Sequence, residues 1–520
     1  MVDNSTAPAV GTTGFYAFAA AHPDRTAIID TDGTQTSFGE LLQRVNGLSH
    51  AFLGRGLRPG DVVAGVLHNG KEFFEVLLAA AQLGLYFVPV NWRLTAGETG
   101  YILRNSGAKL VIVDSDQAAG LAEGDLPAHR FSVHETPPGW EPYDKLGAGE
   151  PVTAPQERHA GAMMGYTSGT TGNPKGVKIA LPPVSPEQLA ELMIAQLVYS
   201  YGIEPSAGIH LVCSPVYHSA PGTHALCFLQ AGHTLLLHSR FDAELALRDV
   251  EKYHVTSTHM VPTQFIRLLR LPDEVRGRYD LSSLQAVIHA GAPCPETVKR
   301  RMLDWVGPIV WEYMGSAEGG VSRVSPQEWL TKPGTVGRPV PGIVVRILDE
   351  DGRELPTGQS GLIYTGATDR PPSFEYLGDP AKTADNRRGD LYTVGDIGYL
   401  DEDGYLFLQD RRTDLIISGG VNIYPAEIEN RLIEHPSVAD AAVVGVPDPE
   451  WGHSVVAVVE LVENTAATTE ISEELQRFCE AGLAKFKLPR RIEIVNHLPR
   501  TPAGKLQRRV VRDMLLTGQQ

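Results

Sequence analysis

Basic charge is scarce in this chain: 45 lysines and arginines stand against 62 aspartates and glutamates, a formal net charge of −17. The deficit argues against a sequence-independent hold on nucleic acid, which needs a basic surface. A polyanionic substrate would have to be met by local positive charge, so single lysines in glycine-rich loops gain interest. Cysteine is also sparse. Cys213, Cys227, Cys294 and Cys479 are scattered without metal-ligand spacing and read as reduced interior residues of a cytosolic protein. Long apolar runs are missing as well. Phe73 to Val90 is broken by Glu75, Gln82, Gly84 and Pro89, so it reads as a buried helix and strand and not as a membrane span. Met1 to Gly11 has neither a basic start nor an apolar run, so no secretory signal is read there and the expected location is cytoplasmic.

What is present is a long, ordinary globular composition: 520 residues, 42% hydrophobic and 21% charged, which suits two to four domains. Apolar residues recur at helical spacing from Phe38 to Leu57, and Val62 to Leu67 reads as a buried strand. A helix over Lys71 to Leu83, a strand over Leu85 to Val90, a further helix to Arg104 and a strand over Lys109 to Val113 continue the alternation, which predicts doubly wound α/β layers. Residues 116 to 157, rich in glycine, proline and charge, read as a connector. Further strands are read over Leu211 to Ser214 and Leu284 to His289. The second opens into Ala290-Gly291-Ala292-Pro293, a strand end suited to a flat ligand. The arginine-containing stretch Arg267 to Arg278 reads as solvent-facing. Near residue 412 the pattern changes, and the remaining hundred or so residues read as a small separate domain, giving domains of 1–412 and 413–520.

The densest chemistry lies in Tyr166-Thr167-Ser168-Gly169-Thr170-Thr171-Gly172-Asn173-Pro174-Lys175-Gly176-Val177-Lys178. Gly169, Gly172 and Gly176 let the backbone come close to a ligand. Amides and hydroxyls can then surround a phosphate while Lys175 adds a compact positive charge. This is not a Walker loop, because Lys175 stands between Pro174 and Gly176 and no helix follows. The apolar flanks, Ala162 to Tyr166 and Val177 to Ile179, predict a loop joining two strands.

These thirteen residues resemble, almost letter for letter, the phosphate loop of the adenylate-forming enzymes: acyl-CoA synthetases, luciferases and adenylation domains. The resemblance extends in motif order over nearly the whole chain and favours the acyl-CoA ligase branch. It implies an α/β fold with a large N-terminal domain of stacked α/β subdomains, a β-barrel-like subdomain, and a small mobile α+β C-terminal domain. It implies ATP or an acyl-adenylate, Mg²⁺ and coenzyme A as ligands, and a carboxylic acid as substrate. It implies neither nucleic acid nor stable membrane insertion, and it leaves a homodimer open.

Residue by residue, the resemblance assigns the nucleotide to Thr167, Ser168, Gly169, Thr170, Thr171, Gly172, Lys175, Gly291, Ala292, Tyr313, Met314, Gly315, Ala317, Asp396 and Arg411. Glu318 would bind Mg²⁺, and Lys505 would swing in for adenylation. His218, His289, Gly291 and Gly315 would border the acyl group. Thr413 would serve as the hinge, Gly419 and Gly420 would admit the thiol, and Lys485, Lys487 and Arg490 would meet the phosphates of CoA.

The departure lies in Met314-Gly315-Ser316-Ala317-Glu318, where the family shows Tyr-Gly-x-Thr-Glu. Met314 replaces an aromatic and Ala317 replaces a threonine hydroxyl. Losing one preorganised donor can cost about 10²- to 10³-fold in rate. Two alternatives therefore stand beside the acyl-CoA ligase: an enzyme that only performs thioesterification on a preformed adenylate, and a stand-alone adenylation enzyme that loads a carrier protein. The chain ends about 15 residues beyond Lys505, too short for a carrier domain of its own.

Overall fold

The computed structural model describes residues 13–167, 174–206, 208–411, 414–418, 421–448, 451–463, 465–501 and 506–517, with residues 410, 411, 421 and 422 described by their backbone alone. The expected assignments at Ser168, Gly169, Thr170, Thr171, Gly172, Thr413, Gly419, Gly420 and Lys505 lie outside the described residues.

The first layer is a six-stranded sheet centred on Val62–Val66, which pairs in parallel with Tyr86–Pro89 on one side and Ala108–Asp114 on the other. All five residues of the central strand are buried, as expected for a parallel sheet covered on both faces. The crossover helices Lys71–Ala81 and Ala96–Ser106 follow the apolar periodicity. The second is bounded by a capping box of Thr95 and Glu98 and by Gly107 at φ 66°, a left-handed position that favours glycine. The connector reading of residues 116 to 157 needs correction. His129–Val133 extends the sheet by pairing in parallel with Ala108–Asp114 over five positions.

A second sheet of fifteen strands carries a parallel core in the order Thr26–Ile29, Thr234–Leu237, Ile209–Val212, Ser257–Met260, Ala286–His289, Val310–Ser316. The two sheets meet through shared helices. One apolar cluster contains Val63, Phe87 and Leu110 of the first sheet and Phe228, Leu235 and Ile288 of the second layer. After Ser316 the chain turns back, and the remaining large-domain strands of this sheet pair antiparallel around a smaller cluster of Met314, Val321, Val336, Ile347, Ile363 and Leu406. This is the expected barrel-like part, although among the described residues hydrogen bonding does not close it into a ring.

The small C-terminal domain pairs Val438–Asp448 with Gly452–Leu461 antiparallel and the latter with Arg491–Val495 in parallel. Helices Pro425–Ile433 and Thr469–Glu480 cover this sheet over their own core of Ile428, Leu432, Val443, Ala457, Leu475 and Cys479. Cys213, Cys227 and Cys479 are buried, as the sequence predicts, and Cys294 is partly so. Among the described residues no helix is long and apolar enough to cross a membrane.

Candidate active site

The strand Lys175–Ile179 runs antiparallel to Tyr166–Thr167, with Lys175 opposite Thr167, so the phosphate-type loop does join two strands. Gly176 is required by the ring of Tyr166, since a Cβ there would lie 2.9 Å from Cζ. The same strand pairs on its other edge with Phe374–Tyr376. That neighbour supplies two groups the sequence reading missed. Asp379 lies 3.4 Å from the largely buried Lys175 ammonium. It also caps the short helix after it, accepting from the Lys382 amide. That amide bond and then Lys175 hold its carboxyl below the usual range, against some opposing burial. Tyr376 donates its phenol hydrogen to Glu318 Oε1 at 2.7 Å and accepts from Asn386 at 3.1 Å. Burial, with the Glu318 charge next, raises that phenol, so it stays a neutral donor.

Glu318 stands with Ala317 in the tight turn between Val310–Ser316 and Gly319–Val324. Ala317 packs against Val177, Phe374, Tyr376 and Tyr392. Next to it, Ser316 Oγ is buried without a hydrogen-bond partner among the described residues. Gly165 lies alongside: a Cβ there would stand 2.8 Å from Ser219 Oγ and 4.0 Å from the Ala317 Cβ.

Strand alternation redistributes three of the expected contacts. Met314, expected on the nucleotide, is buried in the apolar cluster with Val321 and Leu406. Tyr313, expected there too, points to the opposite face, where its hydroxyl lies 3.1 Å from His259 Nε2 and its ring 5.2 Å from His224. Tyr201 completes the group, its hydroxyl 3.4 Å from His224 Nε2. Burial lowers His224 to about 4 and holds His259 well below its ordinary value, so both rings are neutral. His218 stands immediately before the Ser219–Gln230 helix that carries His224, with no capping bond from its side chain, and its ring lies 4.4 Å from Tyr217.

His289, expected beside His218, is on the other side of the sheet. It packs on Phe265 and stands 3.6 Å from Glu312, which pairs with the buried Lys299 at 2.6 Å. The cause is parity: Ile288 faces the cluster between the sheets, while Val287 faces the outer helices and His289 follows it. Gly291 adopts φ +87°, which favours glycine, and Ala292 follows it at the end of that strand. Asp396 and Arg411 are directly opposite each other on paired strands. In the small domain, Lys487 is answered by Glu427 at 2.6 Å and Arg490 lies over Trp451 at 4.6 Å, while Lys485 opens the same short turn. Among the described residues no group of three or more His, Cys, Asp or Glu is arranged to hold a metal.

Comparison with known proteins identifies the family of the chain. The family model described as AMP-binding enzyme matches residues 15–368, and that of the AMP-binding enzyme C-terminal domain matches 427–505. The chain is 32% identical over 516 residues to the fatty acid–[acyl-carrier-protein] ligase ScoC of Streptomyces coeruleorubidus, covering 97% of this chain and 96% of that one. It is 34% identical over 489 residues to a feruloyl-CoA synthase of an Amycolatopsis species, covering 92% and 94%. Its fold superposes on the amide bond synthetase McbA from Marinactinospora thermotolerans with a TM-score of 0.82 at 27% identity, covering 97% and 99%. The chain belongs to the AMP-binding enzyme family, in the acyl-CoA ligase branch of the adenylate-forming superfamily.

Proposed function

We propose that the protein is an AMP-forming acid–thiol ligase that converts a carboxylic acid into its CoA thioester through an acyl-adenylate. One observation carries the reading: a single turn, Tyr376 to Asp379, holds Glu318 through its phenol and Lys175 through its carboxylate, bringing both to the strands that flank the phosphate-type loop. In the first step a carboxylate oxygen attacks the α-phosphorus of ATP and the bond to pyrophosphate breaks. In the second a thiol sulfur attacks the acyl carbon and the bond to AMP breaks. The first step crowds anions, so fixed cations and donors matter most there. Lys175 would neutralise the outer phosphates, with Asp379 holding the ammonium in place until they arrive. Asp396, with Arg411 opposite it, would take the ribose side, and Lys505 the attacking carboxylate. A single carboxylate completed by phosphate oxygens and water suits Mg²⁺, and Glu318 is the residue that would hold the ion to draw charge from the phosphates. The hinge at Thr413, with the boundary between 412 and 413, and the thiol channel at Gly419 and Gly420 belong to the same proposal.

The acyl group would lie below His218, along the face carrying Tyr313, His259 and His224. Neutral rings there offer hydrogen bonds without charge, which favours an aromatic or hydroxylated acid over one with a second carboxylate. Incubation with ATP, Mg²⁺, CoA and a panel of acids should yield AMP and acyl-CoA. Absence of thioester even from synthetic acyl-adenylate plus CoA would sink the ligase reading.

Ala317 supports a second reading, in which only thioesterification is efficient. Its methyl sits at the edge of the apolar cluster that includes Phe374 and Tyr376, where the family has a hydroxyl. In that case Ala317→Thr raises acid-dependent pyrophosphate exchange by about 10²-fold or more. An unchanged rate would mean that the absent hydroxyl is not limiting. The likeness to ScoC keeps a carrier-protein acceptor in view, and faster loading of an added acyl carrier protein than of CoA would establish it.

A further inference from the structure

The stretch Arg267 to Arg278 reads as solvent-facing, yet one of its arginines reaches the other domain. The helix Pro262–Leu269 of the large domain ends at Arg270, whose Nη2 donates to the main-chain oxygen of Ala439 in the small domain. The next residue, Asp440, grips Arg500 through both carboxylate oxygens, at 2.5 and 2.6 Å. Asp440 and Glu460 line the same cavity as Arg270, and their charges oppose the burial that lowers its guanidinium. Together with Thr501 these groups edge this cavity, of about 520 Å³, between the domains. Its opposite wall includes Ser214 and Val261, just past the carboxyl ends of Ile209–Val212 and Ser257–Met260.

We propose that Arg270 is a positioning residue for adenylation: by holding Ala439 it fixes the strand whose Asp440 carries Arg500, and so sets the small domain with Thr501 at the carboxyl ends of the large sheet. The inference rests on the reading that Lys505, five positions after Arg500, serves adenylation. Two guanidinium groups from different domains converge on consecutive residues, 439 and 440, and charge-assisted bonds of this kind are short and directional. The Arg270 contact spans the domains, so it exists only in this relative orientation. Any rotation that presents another face of the small domain must break it. A residue that favours one orientation changes the half-reaction run in that orientation and spares the other.

The test separates the two half-reactions. In R270A, acid-dependent pyrophosphate exchange should fall about 5- to 10-fold, the scale of one lost hydrogen bond. Thioester formation from a synthetic acyl-adenylate and CoA should stay within about 2-fold. R270K keeps the charge but loses the planar fork, so its exchange rate should fall between wild type and R270A. Equal slowing of both half-reactions, or unchanged exchange in R270A, overturns the proposal. K505A is run alongside: exchange surviving in K505A shows that the Lys505 reading, and with it this proposal, is wrong. A second readout does not depend on turnover. Fluorescent labels on V152C and L516C, at positions 55% and 54% exposed on the two domains, should report one narrow distance distribution with Arg270 present and a broader one in R270A. Identical distributions would also overturn it.

Discussion

The strands Ser257–Met260, Ala286–His289 and Val310–Ser316 carry polar residues on both faces, and the two faces treat them differently. Toward the Ser219–Gln230 helix, Tyr313, His259, His224 and Tyr201 form a string of uncharged partners. Toward the outer helices, Lys299 and Glu312 form a buried ion pair with His289 beside it. Burial keeps the histidines neutral on both faces, and at His289 the Lys299 charge acts in the same direction. A neutral network can exchange one partner for a ligand and lose one hydrogen bond. A buried ion pair cannot lose a partner without leaving an uncompensated charge. The first face suits a substrate and the second suits architecture.

The largest effect should come from the outer face. Lys299→Met leaves Glu312 buried and unpaired, with an expected loss of about 3–5 kcal/mol of unfolding free energy in urea or guanidinium melts and near-normal turnover by the protein that remains folded. Adding Glu312→Leu should recover most of that loss. If the single variant were as stable as wild type, the ion pair would not be architectural and the contrast would collapse.

The next effect is a pH dependence. His224 is lowered to about 4, below the ordinary value of 6.5, so its neutral form is favoured in the fold. As pH falls below 6.5 the unfolded chain takes up this proton first. Stability is therefore complete above pH 6.5 and is lost between 6.5 and 4, by on the order of 3 kcal/mol for this group. Melts over that window should show the decline, and His224→Gln should make it shallower, since the buried His259 and His289 still contribute to it. An equal slope in wild type and variant would assign the loss to other groups. The smallest effect is expected at Tyr313→Phe. It leaves His259 without its partner, and should raise KM for the acid about 5-fold while changing stability by about 1 kcal/mol. A change in stability with no change in KM would move this face from substrate to architecture.

The legible parts of the chain are those in which local pattern and burial agree. The helix Phe38–Gly54 and the strand Val62–Val66 were readable because their apolar residues follow helical or continuous spacing. His129–Val133 was not, because only two of its residues are apolar and its place is fixed by pairing with a strand elsewhere in the sequence. At the site, Lys175 and Glu318 stand in recognisable motifs, whereas Asp379, Tyr376 and Asn386 have no local signature and are joined to them only by tertiary pairing. The parity of His289 was unreadable for a further reason. In a four-residue strand buried on all positions, alternation gives no clue to which face is which.

The buried cysteines turn the protein into its own reporter. Burial raises the Cys213 and Cys479 thiols to about 11 and the Cys227 and Cys294 thiols higher still. At pH 8 roughly one in a thousand of the Cys213 or Cys479 groups is a thiolate, so these two sulfurs react slowly with a thiol reagent while the protein is folded. Cys479 belongs to the core of the small domain and Cys213 to that of the large one. The rate at which each becomes labelled therefore times the opening of its own domain, with no mutation of the chain.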